Sequence, residues 1–237
     1  MIGPLIVAAL TAGVVTGAVA YPLAMPGCQW FGPVTARGPT DGLPRVALTF
    51  DDGPWPGGTD QILDLLKRLN VRATFFVIGR YVEAHPQLVE RIDREGHLIG
   101  NHSFDHAALG FLHGQAFWRE QLEKTAAAIE RCIGKKPTLF RPPLGIKTPA
   151  MMKAASGYRT ITWTRRAMDG LTTTPHKILA RLIPATRAGD IVVLHDGVGP
   201  QSKRDPSVTV RAIEPLVKRL RDQGLEPVGL DEFVGPN

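Results

Sequence analysis

The feature that most constrains this chain is a regular alternation of two kinds of segment. Short apolar runs ("RVALTF", "ATFFVIG", "HLIGNH", "LFRPP", "RTITW", "DIVVLHD" and "LEPVGL") have the length and residue types of buried strands. Between them lie "TDQILDLLKRLN", "HPQLVERIDREG", "AFWREQLEKTAAAIERCIG", "TPAMMKAAS", "PHKILARLI" and "SVTVRAIEPLVKRLRDQG". In these, apolar residues recur at three and four positions, the period of a helix with one buried face. Pro86 suits a first helical turn, and Gly96, Gly134 and Gly224 suit helix ends. Strand then helix, repeated about seven times, predicts a parallel α/β architecture. A barrel and an open doubly wound sheet both fit this order. No GxGxxG turn follows the first strand, which argues against a dinucleotide site.

The net charge of +6 comes from Lys and Arg scattered through helical segments, with no basic tail and no nucleic-acid motif. Nucleic acid is therefore not an expected partner, and a monomer is expected. Cys28 and Cys132 are far apart and neither belongs to a CxxC pair, so no disulfide framework or structural zinc site is inferred.

The chain starts differently. Ile2 to Ala36 carries no charged side chain, and Ile2 to Met25 is long enough to span a bilayer as a helix. No positive region precedes it, as a cleavable signal would require, so an uncleaved membrane anchor is the favoured reading and a signal segment the alternative. Residues 1–36 are taken as this segment with the start of a linker, "TARGPTDGLP" (residues 35–44), and 37–237 as the folded domain. Arg37 and Arg45 follow the segment, which on charge alone puts the domain in the cytoplasm.

In parallel α/β folds, chemistry gathers at the C-terminal ends of the strands. Read in order, those ends carry Asp51 and Asp52, His102 and His106, Arg141, then Asp169 beyond Trp163, then His195 and Asp196. Each alone could be a turn residue or a solvated charge. Their recurrence after successive strands points to one site. The spacing of His102 and His106 in "NHSFDH" brings two imidazoles to one side of a helix or tight turn, within reach of one ion. A zinc-type site needs a third protein ligand. One of the two adjacent aspartates can supply it, leaving the other free as a general base.

With "TFDDGP", "HSFDH", "RPPLG" and "LHD" in this order, the chain resembles the polysaccharide deacetylases of the NodB-homology type, carbohydrate esterase family 4. The resemblance spans about residues 44 to 235. It implies a distorted, incomplete (β/α) barrel and a metal-dependent hydrolase that removes N-acetyl groups from amino-sugar residues of a glycan. It assigns Asp51 as catalytic base, paired with Arg141, and Asp52, His102 and His106 as ligands of one divalent ion. Zinc suits such a donor set best, with cobalt, nickel or manganese as alternatives. His195 becomes the general acid, held by Asp169. Leu144 lends a backbone N–H to the oxyanion, and Pro143 and Trp163 join it as substrate contacts; Arg166, a departure from the family motif, is expected as a further contact, to an anionic substrate. Such glycans mostly lie outside the cytoplasm, and this outweighs the charge argument on orientation.

Two departures stand out in the fourth motif, which reads "WTRRAMDG" where many members have WSxDxxDW. Arg166 replaces the first Asp, and Gly170 replaces a Trp that typically walls the acetyl pocket. The alternatives are therefore a deformylase or deacetylase of a membrane lipid-linked sugar, an O-acetyl esterase, and an inactive glycan-binding module.

Overall fold

The computed structural model describes residues 21, 23–171, 174–199 and 204–234. Its strands are β1 (Arg45–Gly53), β2 (Thr74–Val77), β3 (Leu98–Asn101), β4 (Leu139–Phe140), β5 (Arg159–Thr160), β6 (Arg165–Arg166), β7 (Ile191–His195) and β8 (Glu226–Val228). The helices are α1 (Thr59–Leu69), α2 (Gly79–Ala84), α3 (Pro86–Arg94), α4 (Gln115–Ile133), α5 (Pro149–Ala154), α6 (Pro175–Leu182), α7 (Ser207–Asp222) and α8 (Asp231–Val234). The sheet runs in the order β5-β4-β3-β2-β1-β7-β6, with β8 also pairing β1, and every pairing is parallel. β5 and β6 do not pair with each other, so the curved sheet is an incomplete barrel, as the resemblance implied.

The seven predicted strands are present, and an eighth, β6, is formed by two arginines that no apolar pattern would mark. α2 and α8, six and four residues long, also lie in segments without a predicted helix. They are too short to display a helical period.

Alternation along β1 sorts its side chains between two cores. Val46, Leu48 and Phe50 pack outward under α1 and α7 with Ile62, Leu63, Leu66, Ile213 and Leu216. Ala47 faces the barrel interior with Phe76, Ile161, Trp163, Ile191 and Val193. Asp51 lies on this second, inward face, two positions above Thr49. It pairs with His195 across β1 and β7, so His195 opens to the same side.

The apolar first segment is mostly outside the described residues, and with it the predicted span Ile2–Met25. Among the described residues no helix is long and apolar enough to cross a membrane. The C-terminal end of that segment contacts the folded domain. Leu23 accepts the Lys147 backbone N–H at 3.0 Å, and Met25 accepts the Lys147 Nζ at 2.7 Å. Thr162 Oγ1 donates to the Pro26 carbonyl at 2.9 Å. Thr35 bridges Ile161 and Arg37 bridges Asp190, filling part of the gap beside β5 and β7. The cause is Lys147: its buried ammonium needs carbonyl acceptors, and the chain from Leu23 onward provides them.

Candidate active site

Two adjacent residues on a regular strand point to opposite faces, so Asp51 and Asp52 should not share a site. A β-bulge resolves this. Asp51 pairs with Phe76 and Gly53 with Val77, leaving Asp52 as the extra, unpaired residue. Its φ of 72° lies in the left-handed region, a strain on the order of 1 kcal/mol or more for a non-glycine residue. The bulge turns both carboxylates to the C-terminal end of the barrel. β1 and β7 approach closely here. A Cβ on Gly53 would stand 2.0 Å from Asp196 Oδ2, and one on Gly197 would stand 1.9 Å from the Asp52 carbonyl, so no other residue fits at either place. Asp196 is fully buried and accepts a hydrogen bond from Thr59 at the start of α1. Burial pushes its carboxyl up to about 7, only partly offset by the Thr59 bond.

Arg141, fully buried after β4, donates from Nη1 to Asp51 Oδ1 and to Thr49 Oγ1, both at 2.7 Å. Its Nη2 donates to the Thr162 carbonyl at 3.1 Å, and the guanidinium lies 4.1 Å above the Phe76 ring. Burial lowers the Arg141 pKa, while the Asp51 charge and hydrogen bond oppose that. Asp51 is thereby fixed by an opposite charge on one oxygen.

His102 and His106 follow β3 in a tight turn, not a helix. Ser103 and His106 take φ of 65° and 48°, and the imidazole centroids lie 5.0 Å apart. The turn is tied internally by Ser103 N–H to Asn101 Oδ1 at 2.9 Å. Gln121 of α4 ties it from outside, accepting from the N–H groups of Phe104 and Asp105, each at 2.9 Å. His102 Nδ1 donates to the Arg141 carbonyl at 2.8 Å, which leaves Nε2 as the lone-pair nitrogen. Burial, with His106 close by, lowers the His102 pKa to about 3, so the imidazole is neutral.

Asp52 Oδ1 lies 3.4 Å from His106 Nε2 and 3.6 Å from His102 Nε2. Asp52, His102 and His106 are buried, with one donor atom of each within 4.8 Å of the others. Asp52 Oδ1 is buried with no hydrogen-bond partner among the described residues. An unpartnered carboxylate oxygen facing two imidazole nitrogens is a donor set that fits a divalent ion.

His195 stands at the end of β7. Asp169 Oδ1 lies 2.7 Å from His195 Nδ1, and Asp169 Oδ2 accepts the His195 backbone N–H at 2.8 Å and the Thr209 hydroxyl at 2.7 Å. Burial would lower the His195 pKa, but the charge and hydrogen bond of Asp169 outweigh it and raise it. For Asp169, burial works upward, yet His195, Arg204 and Thr209 hold it at about 2. This is an oriented imidazole whose hold on a proton Asp169 strengthens, in the same cleft as Asp52 and His106.

The model of the family described as polysaccharide deacetylase matches residues 39–161. A peptidoglycan-N-acetylglucosamine deacetylase of Bacillus cereus is 36% identical over 196 residues, covering 80% of this chain and 87% of that protein. The chain belongs to the polysaccharide deacetylase family. A chitooligosaccharide deacetylase of Bradyrhizobium sp. is 35% identical, covering 80% of this chain and 90% of that protein. Among solved structures, the Bc1960 peptidoglycan N-acetylglucosamine deacetylase superposes with a TM-score of 0.79 at 30% identity, covering 86% of this chain and 94% of that one. A family 4 pseudoenzyme from Bacillus anthracis superposes at 0.73 with 28% identity, covering 85% of this chain and 68% of that one.

The cleft of this deacetylase, about 310 Å³, is lined by Asp52, His106, His195, Leu144, Arg166, Met168, Gly170, Leu171, Gly199 and Arg204. β6 splits the two arginines of the fourth motif. Arg165 turns away and bonds Asp190 at 2.6 Å, while Arg166 shares the inward face with Val193 and borders the cleft. Leu144, at φ 58°, also lines the cleft. Pro143 and Trp163, expected as substrate contacts, are buried and do not line this cleft. Trp163 is buried beneath Gly145, whose Cβ would stand 2.4 Å from the indole, with Arg141 and Arg166 over its ring at 5.7 and 5.5 Å. Sequence reasoning missed Gln121, Thr209 and Arg204. A polar residue on the apolar stripe of α4 or α7 is the signal that marks the first two; Arg204 has none.

Proposed function

We propose that this deacetylase removes N-acetyl groups from amino-sugar residues of a peptidoglycan or chitin-type glycan outside the cytoplasm, with a zinc ion held by Asp52, His102 and His106. The single observation that carries the reading is the division of labour in the bulge. One carboxylate is clamped by Arg141, and its neighbour aims an unpartnered oxygen between the His102 and His106 imidazoles. A fold alone does not carry activity. The deacetylase retains Asp51, all three metal donors and His195, which favours a working enzyme over a glycan-binding module.

When bound, the divalent ion supplies Lewis-acid polarisation of the amide carbonyl and acidifies water. Asp51 accepts the proton of the attacking water, held and aimed by Arg141. The Leu144 N–H donates to the oxygen that gains negative charge. His195 passes a proton to the departing amine, with Asp169 fixing the ring. Trp163 packs beneath Gly145, next to Leu144 in the chain.

A second substrate class, an acylated sugar on a lipid phosphate, is favoured by Arg166 in the cleft and by the exposed Leu144 and Leu171 at its edge. The experiment is acetate and formate release from peptidoglycan, chitin oligomers and a lipid-linked N-acyl sugar, with and without chelator and with defined metals. Chelator-sensitive acetate release from the glycans supports the first reading. Release confined to the lipid-linked sugar replaces it with the second, and the same activity with and without chelator overturns the metal role. N-terminal sequencing of the membrane fraction tests the anchor, since a mature start near residue 26 would indicate cleavage.

A further inference from the structure

We propose that Arg204 is a positioning residue that aims Asp52 at the metal. The proposal rests on reading Asp52, His102 and His106 as ligands. Asp52 has little else to hold it. It is the unpaired residue of the bulge, with a left-handed φ, so the sheet does not fix its side chain. Arg204 Nη2 lies 3.3 Å from Asp52 Oδ2, the one side-chain hydrogen bond to this carboxylate among the described residues. The same nitrogen donates to the Gly197 carbonyl, which anchors the guanidinium to the turn after β7. The Arg204 side chain is only 4% exposed.

The contact divides the carboxylate. Oδ2 is engaged by Arg204, and Oδ1, with no hydrogen-bond partner, faces the two imidazoles. Gly199 lies close to the carboxylate, since a Cβ there would stand 3.0 Å from Asp52 Oδ2, and Gly170 borders Arg204, where a Cβ would make an ordinary contact at 3.5 Å from Nη1. Arg204 thus occupies the space beside the position where many relatives place a Trp. Partners that orient a ligating carboxylate commonly change metal affinity by about 10- to 100-fold when removed.

Two effects of Arg204 on a divalent ion oppose each other, and their signs differ. Its charge repels the ion, so removing the charge alone would tighten binding. Its hold on Oδ2 keeps Oδ1 in place, so removing the hold loosens binding. The proposal is that the second effect dominates.

The test is zinc affinity by competition with a chromophoric chelator, on metal-stripped wild type, Arg204→Met and Arg204→Lys. Wild type should bind one ion. Arg204→Met should bind it about 10- to 100-fold more weakly. Arg204→Lys, which restores a cation donor, should recover most of the loss. Equal or tighter binding by Arg204→Met overturns the proposal, as does Arg204→Lys falling as far as Arg204→Met. Should Arg204→Met not fold, Arg204→Gln replaces it: its side chain is too short to reach Oδ2, and the same fall supports the proposal while equal or tighter binding overturns it. Failure of wild type to bind an ion would instead remove the metal reading itself.

Discussion

The floor and the rim of the cleft are built on different principles. On the floor, Asp51, His102, Arg141 and Asp169 are almost wholly removed from solvent, and each is held by contacts from separate strands or turns. On the rim, Leu144 and Leu171 are 50% and 80% exposed, and Arg166 reaches solvent. Buried polar groups must be partnered, so a change on the floor leaves an orphaned charge, whereas a change on the rim is absorbed by water. The floor should therefore set the rate of the reaction and the rim the choice of substrate.

The largest effect should follow from breaking the donor set. The double replacement His102→Ala and His106→Ala should abolish metal binding and reduce acetate release to background while circular dichroism stays native. Stoichiometric metal in that variant would dismantle the site as described.

A smaller floor effect concerns the acid. Asp169 raises the His195 pKa against burial and Arg204, which both lower it. His195 must be protonated to act, so activity falls as pH rises through its folded pKa. Asp169→Asn removes the raising partner, so the alkaline limb of kcat/KM should move to lower pH. Activity at the optimum should drop on the order of tenfold or more. An unmoved limb would assign that limb to another group.

The rim should give the smallest effect. Arg166→Ala should lower the ratio of kcat/KM for an anionic lipid-linked sugar to that for a neutral oligosaccharide by a few-fold. The change should shrink as salt rises, because exposed charges are screened within about 10 Å at moderate ionic strength. An equal change for both substrates at low and high salt would make Arg166 an ordinary surface residue.

The same contrast explains what was legible in the sequence. Floor residues sit at the ends of apolar strands, and the strand period marks those ends, so Asp51, Arg141 and His195 could be placed before any coordinates. The bulge that lets Asp51 and Asp52 share a site leaves no such mark: alternation alone sends them to opposite faces, and it was the need for a third metal ligand, with the family resemblance deciding which carboxylate does what, that put both in one site. β6 escaped because two arginines are no apolar run; partnership with β7 makes it a strand. Arg204 escaped because its contact with Asp52 is made in space and follows from no spacing along the chain. The apolar start read as a unit by composition, yet Lys147 draws Leu23 to Pro26 onto the domain.

The central claim is that one bulge turns two adjacent carboxylates into a base and a ligand. The most direct measurement is metal stoichiometry and acetate release on the same preparation of Asp51→Asn. The account predicts one equivalent of zinc, as in wild type, with turnover reduced on the order of a hundredfold or more, because an amide cannot accept the proton of the attacking water. Near-normal turnover at full metal occupancy would contradict it and move the base elsewhere.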